Sequence, residues 1–232
     1  MAWIDRYMTR QAWAILKNSL LNSGYYLKRG SDFEKLEAKI LNSDRSILTE
    51  HFRTSINTYT PNEAFWIAVE TGSGETVARV ATRIDRLGEM TLLEYWNKYW
   101  RRCYPGVVNE QAQLAPKQPN FANLIKGNVA YVGDLFVEKE HRGKGIASTL
   151  VNIVQIDAFD EWYPNLDYLY GWMTPEQVAS KLFPNYGFRQ VRAHGIHWDD
   201  PPATIGGDLT FVGNSAADLS DLLLEVTTFP NV

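Results

Sequence analysis

The segment from Arg142 to Ala147, RGKGIA, combines two basic side chains with two glycines, a composition that suits anion binding. It follows a β-branched and aromatic run at Ala130 to Val137 and a charged turn at Glu138 to Glu140. Apolar residues at helical spacing come after it, namely Leu150, Val151, Ile153 and Val154. The first turn of a helix has unpaired N–H groups and a positive dipole end, and glycine lets a phosphate approach the backbone. The sequence therefore predicts a strand, a phosphate-binding turn and a helix.

Two common phosphate-binding motifs do not fit this segment. A Walker loop needs Ser or Thr directly after its lysine, whereas Gly145 follows Lys144. The dinucleotide fingerprint GxGxxG fails at its third glycine, where Ser148 stands. The alternative to a phosphate site is an ordinary strand, turn and helix whose charges are solvated.

The pattern Arg-x-x-Gly-x-Ala in this segment resembles the pyrophosphate-binding loop of the GNAT superfamily of acyl-CoA N-acyltransferases. Gly133 to Val137, GDLFV, is similar to the fourth strand of that family. The resemblance implies that acetyl-CoA, a coenzyme A thioester, is the co-substrate and that an acyl group passes to an amine. It also implies a cofactor-binding set, which comprises Leu135, Phe136, Val137, Arg142, Gly143, Lys144, Gly145, Ile146 and Ala147.

The resemblance assigns parts of the reaction to members of this set. The amides of residues 143–147 and the charge of Arg142 hold the pyrophosphate. The backbone of Leu135 and Val137 aligns the pantetheine arm as an extra strand would. A backbone N–H near Phe136 is the expected donor to the oxyanion.

A second region, PEQVASKLFPNYGF, resembles the family's helix after the fifth strand only in part. Ala179 and Gly187-Phe188 match, but Glu176 stands at the usual Asn position and Phe183 at the usual Tyr position. That tyrosine commonly protonates the departing thiolate, which phenylalanine cannot do. Tyr186 and Tyr170 are the possible substitutes, and each has a structural role as its alternative.

Asp134 is an acidic residue inside an otherwise apolar and aromatic strand, where acidic residues are uncommon. Polyamine N-acetyltransferases similarly carry an acidic residue before this strand end. The hypothesis is that Asp134 binds an ammonium group or takes its proton. The alternative is an aspartate hydrogen-bonded to a neighbouring strand or turn.

A cationic primary amine is the expected acceptor, such as a polyamine, an amino-sugar antibiotic or a lysine-like side chain. Three further acidic residues in or near a late loop would favour a cation, namely Asp199, Asp200 and Asp208. Three tryptophans could line the entrance and add cation–π contacts, namely Trp96, Trp100 and Trp198. The residues Phe183 and Glu176 favour the alternative to an enzyme, which is a non-catalytic module that binds or senses acyl-CoA.

Composition narrows the class of protein further. The 232 residues are 45% hydrophobic, which is enough for a sizeable core, and the net charge of −4 gives no global attraction for nucleic acid or an anionic membrane. Cys103 is the single cysteine, so a reducing cytoplasm is expected. The N-terminus has no signal peptide pattern, and no apolar run is long enough to span a bilayer. The four histidines show no metal-ligand spacing, so no metal is expected.

The elements that must position these residues form a single α/β domain over residues 1–232. We expect a mixed, mostly antiparallel sheet, splayed at the acyl-CoA site and flanked by helices. Additions to it are an N-terminal helix within residues 1–22, an insertion at residues 88–128 and an extension at residues 213–232. The aromatic residues of the insertion are expected to pack on the core or on a subunit interface. The alternative is that they form a substrate lid. A homodimer is possible.

Sequence patterns also predict individual elements. Helices are expected at residues 3–21, after the capping pattern that begins at Ser31, and at residues 47–56. Strands are expected at residues 64–69, 76–84, 166–172, 189–197 and 208–212, and Pro175 is expected to open a helix to Leu182.

Overall fold

A computed structural model describes residues 5–180 and 183–229. The helices are α1 (Arg6–Asn22), α2 (Phe33–Lys39), α3 (Leu92–Lys98), α4 (Ile146–Glu161), α5 (Pro175–Ala179) and α6 (Ala216–Thr228). The strands are β1 (Tyr25–Gly30), β2 (Ala64–Thr71), β3 (Thr76–Arg86), β4 (Gln113–Leu114), β5 (Asn128–Val137), β6 (Tyr168–Met173), β7 (Gln190–Arg192), β8 (Trp198–Asp200) and β9 (Thr210–Ser215).

Seven strands form the central sheet in the order β1-β2-β3-β5-β6-β9-β7. Within it β5 and β6 run parallel, and the other neighbouring pairs are antiparallel. β4 and β8 form a separate two-stranded ribbon that joins the insertion to the late loop. The expected mixed, mostly antiparallel sheet is confirmed.

Helices α1, α4 and α6 cover one face of the sheet. α4 is mostly apolar and buries much of its surface there, including Leu150, Val154 and Phe159. α1 begins at the N-cap Asp5, whose carboxylate accepts from two backbone N–H groups, and α6 begins at the capping box of Ser215 and Asp218. α1 and α6 pack against each other and against α4, so these additions share one layer.

The opposite face is covered by α2, by consecutive turns at residues 41–63 and by the insertion. Trp96 and Trp100 are 0% and 1% exposed and lie in one aromatic cluster with Tyr170, Trp172 and Phe211. The aromatic residues of the insertion thus pack on the core, which was one of the two interpretations, and α3 is part of the fold's second layer.

Four predicted elements differ in the structure. The helix predicted from Pro175 to Leu182 is α5, which ends at Ala179, and Leu182 lies outside the described residues. Residues 47–56 form successive turns, because backbone N–H groups there are taken by distant carboxylates, as Thr49 N is by Asp134 and Thr54 N by Glu37. The strand predicted at residues 189–197 is only β7, and His194 has a φ of 51° in the turn that follows. The last strand extends to Ser215, and the helix α6 was not predicted.

Candidate active site

The parallel strands β5 and β6 separate part-way along their length. They pair from Val129 with Tyr168 to Val132 with Gly171, and beyond this point no pairing continues. A cleft of about 160 Å³ opens there, lined by residues 132–135 on one side and 171–174 on the other. Strand separation of this kind exposes backbone N–H and C=O groups to a ligand.

A β-bulge at Asp134 bends β5 away from β6. Arg79 on β3 pairs with Phe136 and Ala81 pairs with Gly133, so two residues of β5 lie opposite Val80. Asp134 has a φ of 54°, in the left-handed region that aspartate tolerates better than most residues. The bulge is therefore the local cause of the opening.

The carboxylate of Asp134 holds this bulge in place. One oxygen accepts from Arg79 Nε at 2.7 Å, and the other accepts from Arg45 Nη2 and Thr49 N, both at 2.9 Å. Its side chain is 0% exposed. The structure thus has the aspartate hydrogen-bonded to a neighbouring strand and turn, and this geometry does not support direct contact of Asp134 with an ammonium group.

Positive charge gathers around the aromatic ring of Phe136. The guanidinium groups of Arg45, Arg79 and Arg142 lie 4.8, 4.9 and 5.9 Å from the ring centroid. One carboxylate, that of Asp134, is shared by the first two. The side of the cleft next to the predicted phosphate turn is therefore rich in cations.

Backbone alternation decides which groups of β5 face the cleft. Glu138 N, just after β5, donates to Val77 O on β3. Along a strand, the backbone N–H and C=O groups of every second residue point to the same neighbouring strand. The backbone of Phe136 therefore faces β3, whereas that of Leu135 and Val137 faces the open side. The N–H of Phe136 is thus directed to β3 and that of Leu135 to the open side of β5.

The phosphate turn, residues 142–147, has the backbone that the sequence predicts. Gly143 and Gly145 have φ values of 76° and 74°, and a Cβ at either would meet no atom within 4 Å. Gly145 is the N-cap of α4 and offers no side chain to cap it. Within residues 5–180 and 183–229, the N–H groups of residues 143–147 have no hydrogen-bond acceptor. They are free to bind an anion.

Basic side chains flank this turn. Arg142 Nε donates to Val137 O at 2.9 Å, and Lys144 Nζ donates to the hydroxyl of Tyr25 at 3.3 Å. That hydroxyl also contacts His141 Nδ1 at 2.9 Å. These contacts join the turn to both β5 and β1. The free N–H groups, the open glycines and the cations together fit the pyrophosphate of a coenzyme A thioester.

The two candidate tyrosines lie in different surroundings. Tyr186 lines the cleft, and burial raises the pKa of its hydroxyl above the usual value. Tyr170 is 0% exposed in the aromatic core and accepts from Trp96 Nε1 at 3.2 Å. Only the first is placed to contact a group in the cleft. The backbone of Phe183 begins a short 3₁₀ turn that ends at Tyr186, and its side chain lies outside the described part of the structure.

The loop carboxylates and tryptophans do not form the predicted cation entrance. Asp200 is buried and accepts from the N–H groups of Val108 and Asn109, and Asp208 pairs with His194 at 2.8 Å. Neither lines the cleft, and neither does Asp199. Trp96 and Trp100 are buried in the core, where Trp198 stacks on the second of them.

Several residues of the cleft were not found from the sequence. They come from the turns before β2, from the insertion and from the sheet, namely Arg45, Glu50, Tyr104, Tyr131 and Trp172. Burial raises the pKa of Tyr104 and Tyr131 well above that of a free tyrosine, so both keep their O–H donors. None of the five lies in the motifs at residues 133–137 and 142–147, so no local pattern in the sequence indicated their place in the cleft.

Neither a metal site nor a membrane span is found in the described ranges. Their histidine, cysteine, aspartate and glutamate side chains form no group of three or more that could ligate a metal ion. Their helices also lack the length and apolar character that crossing a membrane requires.

Comparison with known proteins gives a family match. The model of the acetyltransferase (GNAT) family matches residues 34–188. NAA60 of Arabidopsis thaliana in complex with acetyl-CoA is 16% identical, with 82% of this chain and 98% of that chain covered and a TM-score of 0.47. A mutant of the spermidine N-acetyltransferase SpeG from Vibrio cholerae is also 16% identical, with 85% and 97% covered and a TM-score of 0.46. No curated protein matches by sequence.

The matched residues include the phosphate turn, the bulged strand and Tyr186, and they leave α1 and α6 outside. With a match over well more than half of its length, the chain belongs to the acetyltransferase (GNAT) family and is an acyl-CoA N-acyltransferase with acetyl-CoA as its co-substrate.

Proposed function

We propose that this protein transfers the acetyl group of acetyl-CoA to a primary amine that is a cation in solution. The observation that carries the proposal is the opening of β5 from β6, where Leu135 and Val137 have no strand partner on the β6 side. A pantetheine arm can lie along this edge while its pyrophosphate binds at residues 143–147.

Each step of the transfer has a candidate group in the cleft. Acetyl-CoA supplies an acyl group activated as a thioester. The N–H of Leu135 is placed to donate to the carbonyl oxygen as negative charge develops on it. Tyr186 keeps its proton because burial raises its pKa, and it can give that proton to the departing thiolate. A free alkylamine has a pKa near roughly 10, so the acceptor must lose a proton before it attacks.

The cationic nature of the acceptor is supported by the walls of the cleft. Tyr104 and Tyr131 present aromatic rings, and Glu50 adds a carboxylate. An ammonium group over an aromatic ring gains about 0.5–2 kcal/mol, depending on its desolvation. The acceptor classes that fit are polyamines, amino sugars and lysine-like side chains.

We also propose that the protein is cytoplasmic and forms a homodimer. The single cysteine, Cys103, is unpaired and half-buried, which suits a reducing compartment such as the cytoplasm. A homodimer is compatible with exposed hydrophobic side chains such as Tyr26 on the edge strand β1.

Release of free thiol from acetyl-CoA tests the proposed reaction. Spermidine, kanamycin, n-butylamine and a lysine-containing peptide serve as acceptors, with glycerol as an uncharged control. We expect amine-dependent release with at least one cationic acceptor and none with glycerol. Binding of acetyl-CoA without release for any acceptor would favour the non-catalytic module, to which the residues Glu176 and Phe183 point.

A further inference from the structure

We propose that Glu50 binds the ammonium group of the acceptor and so sets the preference for cationic amines. This inference rests on the proposed function, because it assigns a residue to the acceptor side of the same cleft. It replaces Asp134 in the role expected from the sequence.

Glu50 lies in the turns between α2 and β2 and lines the cleft. The residue is only 6% exposed, and it lines the cleft together with Tyr104, Tyr131 and Trp172. Its carboxylate thus combines burial with access to the ligand space.

The carboxylate of Glu50 has no hydrogen-bond donor among the described residues. Its nearest cation is Arg53, whose Nη2 lies 3.9 Å from Oε1. His51 beside it does not supply charge, because burial and the proximity of Arg83 lower the pKa of that imidazole well below its usual value. The carboxylate oxygens keep some exposure, so a ligand in the cleft can reach them and supply the missing donor.

Every other buried carboxylate in the described residues has a close donor. The donors are Lys39 Nζ for Glu70, Arg83 Nη2 for Asp85, Arg79 Nε for Asp134, Asp44 N for Glu138 and Asn109 N for Asp200. Glu50 is therefore the exception in this set, and it is also the one whose missing partner can come from the cleft.

A cationic amine meets the requirements of this site. Its ammonium group supplies N–H donors and positive charge to Glu50, and Tyr104 and Tyr131 line the same cleft. A competing explanation is that Glu50 only offsets the surplus charge of Arg45 and Arg79, which share Asp134. The two explanations differ in what they predict for amine binding.

The test compares steady-state kinetics of the wild-type protein and Glu50→Gln, with acetyl-CoA saturating and the best amine of the panel varied. We expect KM for that amine to rise at least tenfold, while the Kd for acetyl-CoA changes less than twofold. Glu70→Gln is the matched control, since it removes a buried carboxylate that lies outside the cleft, and it should leave KM for the amine unchanged.

Glu50→Asp keeps the negative charge, and it provides a second variant for the comparison in case Glu50→Gln does not fold. It should fall between the wild-type protein and Glu50→Gln in KM for the amine. An active wild-type protein whose KM for the amine is the same in both Glu50 variants would overturn this inference and leave the proposed function intact. A wild-type protein that acetylates no amine would overturn both.

Discussion

At the scale of single residues, the site depends on a charge cluster that the substrate need not touch. Asp134 is shared by Arg79 and Arg45, and one of these guanidinium groups is almost completely buried. Removing one partner of a buried ion pair is costly, because the other charge is left without compensation. The cluster therefore acts by holding the bend of β5 and the cleft beside it.

Asp134→Asn tests this role, since asparagine keeps the shape and removes the charge. The free energy of unfolding should fall by about 3–5 kcal/mol, because Arg79 loses its buried counter-charge. Urea unfolding followed by tryptophan fluorescence measures it, with exposed Asp199→Asn as the control, expected within about 0.5 kcal/mol of the wild-type protein. Unchanged stability together with a tenfold loss of kcat/KM for the amine would instead place the carboxylate against the substrate.

Tyr186→Phe tests the proton donor. We expect kcat to fall by about 10²-fold, the lower end for general acid catalysis, with little change in the Kd for acetyl-CoA. Single-turnover acetylation measures the chemical step. Tyr170→Phe is the control, and it should leave kcat unchanged while costing about 1–3 kcal/mol of stability, because Trp96 Nε1 loses its acceptor. Equal kcat values for Tyr186→Phe and the wild-type protein would show that Tyr186 is not the proton donor and that the thiolate departs unprotonated.

Some residues of the site could be predicted from the sequence, and others could not. The phosphate turn is contiguous, and its glycines and basic residues can be recognised without knowledge of the fold. The partners of Asp134 are 55 and 89 residues away along the chain, so its ion pairs depend on strand register and on turns. For the same reason Glu50 had no local signal of its place in the cleft.

At the scale of elements, α1 packs against α4 and surrounds a partly buried carboxylate. Asp157 lies 3.7 Å from Arg29, and burial raises the pKa of this aspartate to about 7, with Asp160 and Glu161 adding to the effect. The folded protein therefore holds this proton up to about pH 7, whereas an aspartate in an unfolded chain loses it near roughly pH 4. Stability from this group is present at low pH and is lost as pH rises from about 4 to about 7.

Asp157→Asn should remove this pH dependence. The variant should gain stability relative to the wild-type protein as pH rises from 4 to 8, by roughly 2–4 kcal/mol at the upper end. Urea unfolding at pH 5 and pH 8 measures the difference. Asp160→Asn, which removes an exposed pair with Arg6, should change stability by less than about 1 kcal/mol at either pH. A gain for Asp157→Asn that is equal at both pH values would contradict the assignment.

Element boundaries show where local patterns fail. Residues 47–56 carry apolar side chains at roughly helical spacing, yet Leu48 and Phe52 are buried while Ile47 and Ile56 are exposed. Side chains from α2 and β5 bind the backbone of this segment and fix it as turns. The strand β9 and helix α6 follow one another without a loop, so the change of period at Ser215 was not visible as a break.

At the scale of the whole molecule, additions surround a common family core. α1 and α6 cover one face of the sheet, and the insertion fills the other with aromatic residues and joins the late loop through β4 and β8. The strands that separate at the cleft, β5 and β6, belong to the matched region, whereas β1, β7 and β9 of the same sheet lie outside it. The helices α1 and α6 lie outside the matched residues, so the resemblance could not predict how they pack.

Calorimetric titration of acetyl-CoA into the wild-type protein and Gly145→Glu tests the central claim most directly, because the variant places an anion in the phosphate turn. Gly88→Glu is the matched control. Its glycine also has a positive φ and open space, but it lies at the opposite end of β3.

We predict binding of one acetyl-CoA per chain to the wild-type protein and to Gly88→Glu, and no measurable heat for Gly145→Glu. Binding to Gly145→Glu with unchanged affinity, or no binding to the wild-type protein, would contradict the assignment of residues 142–147 as the pyrophosphate site.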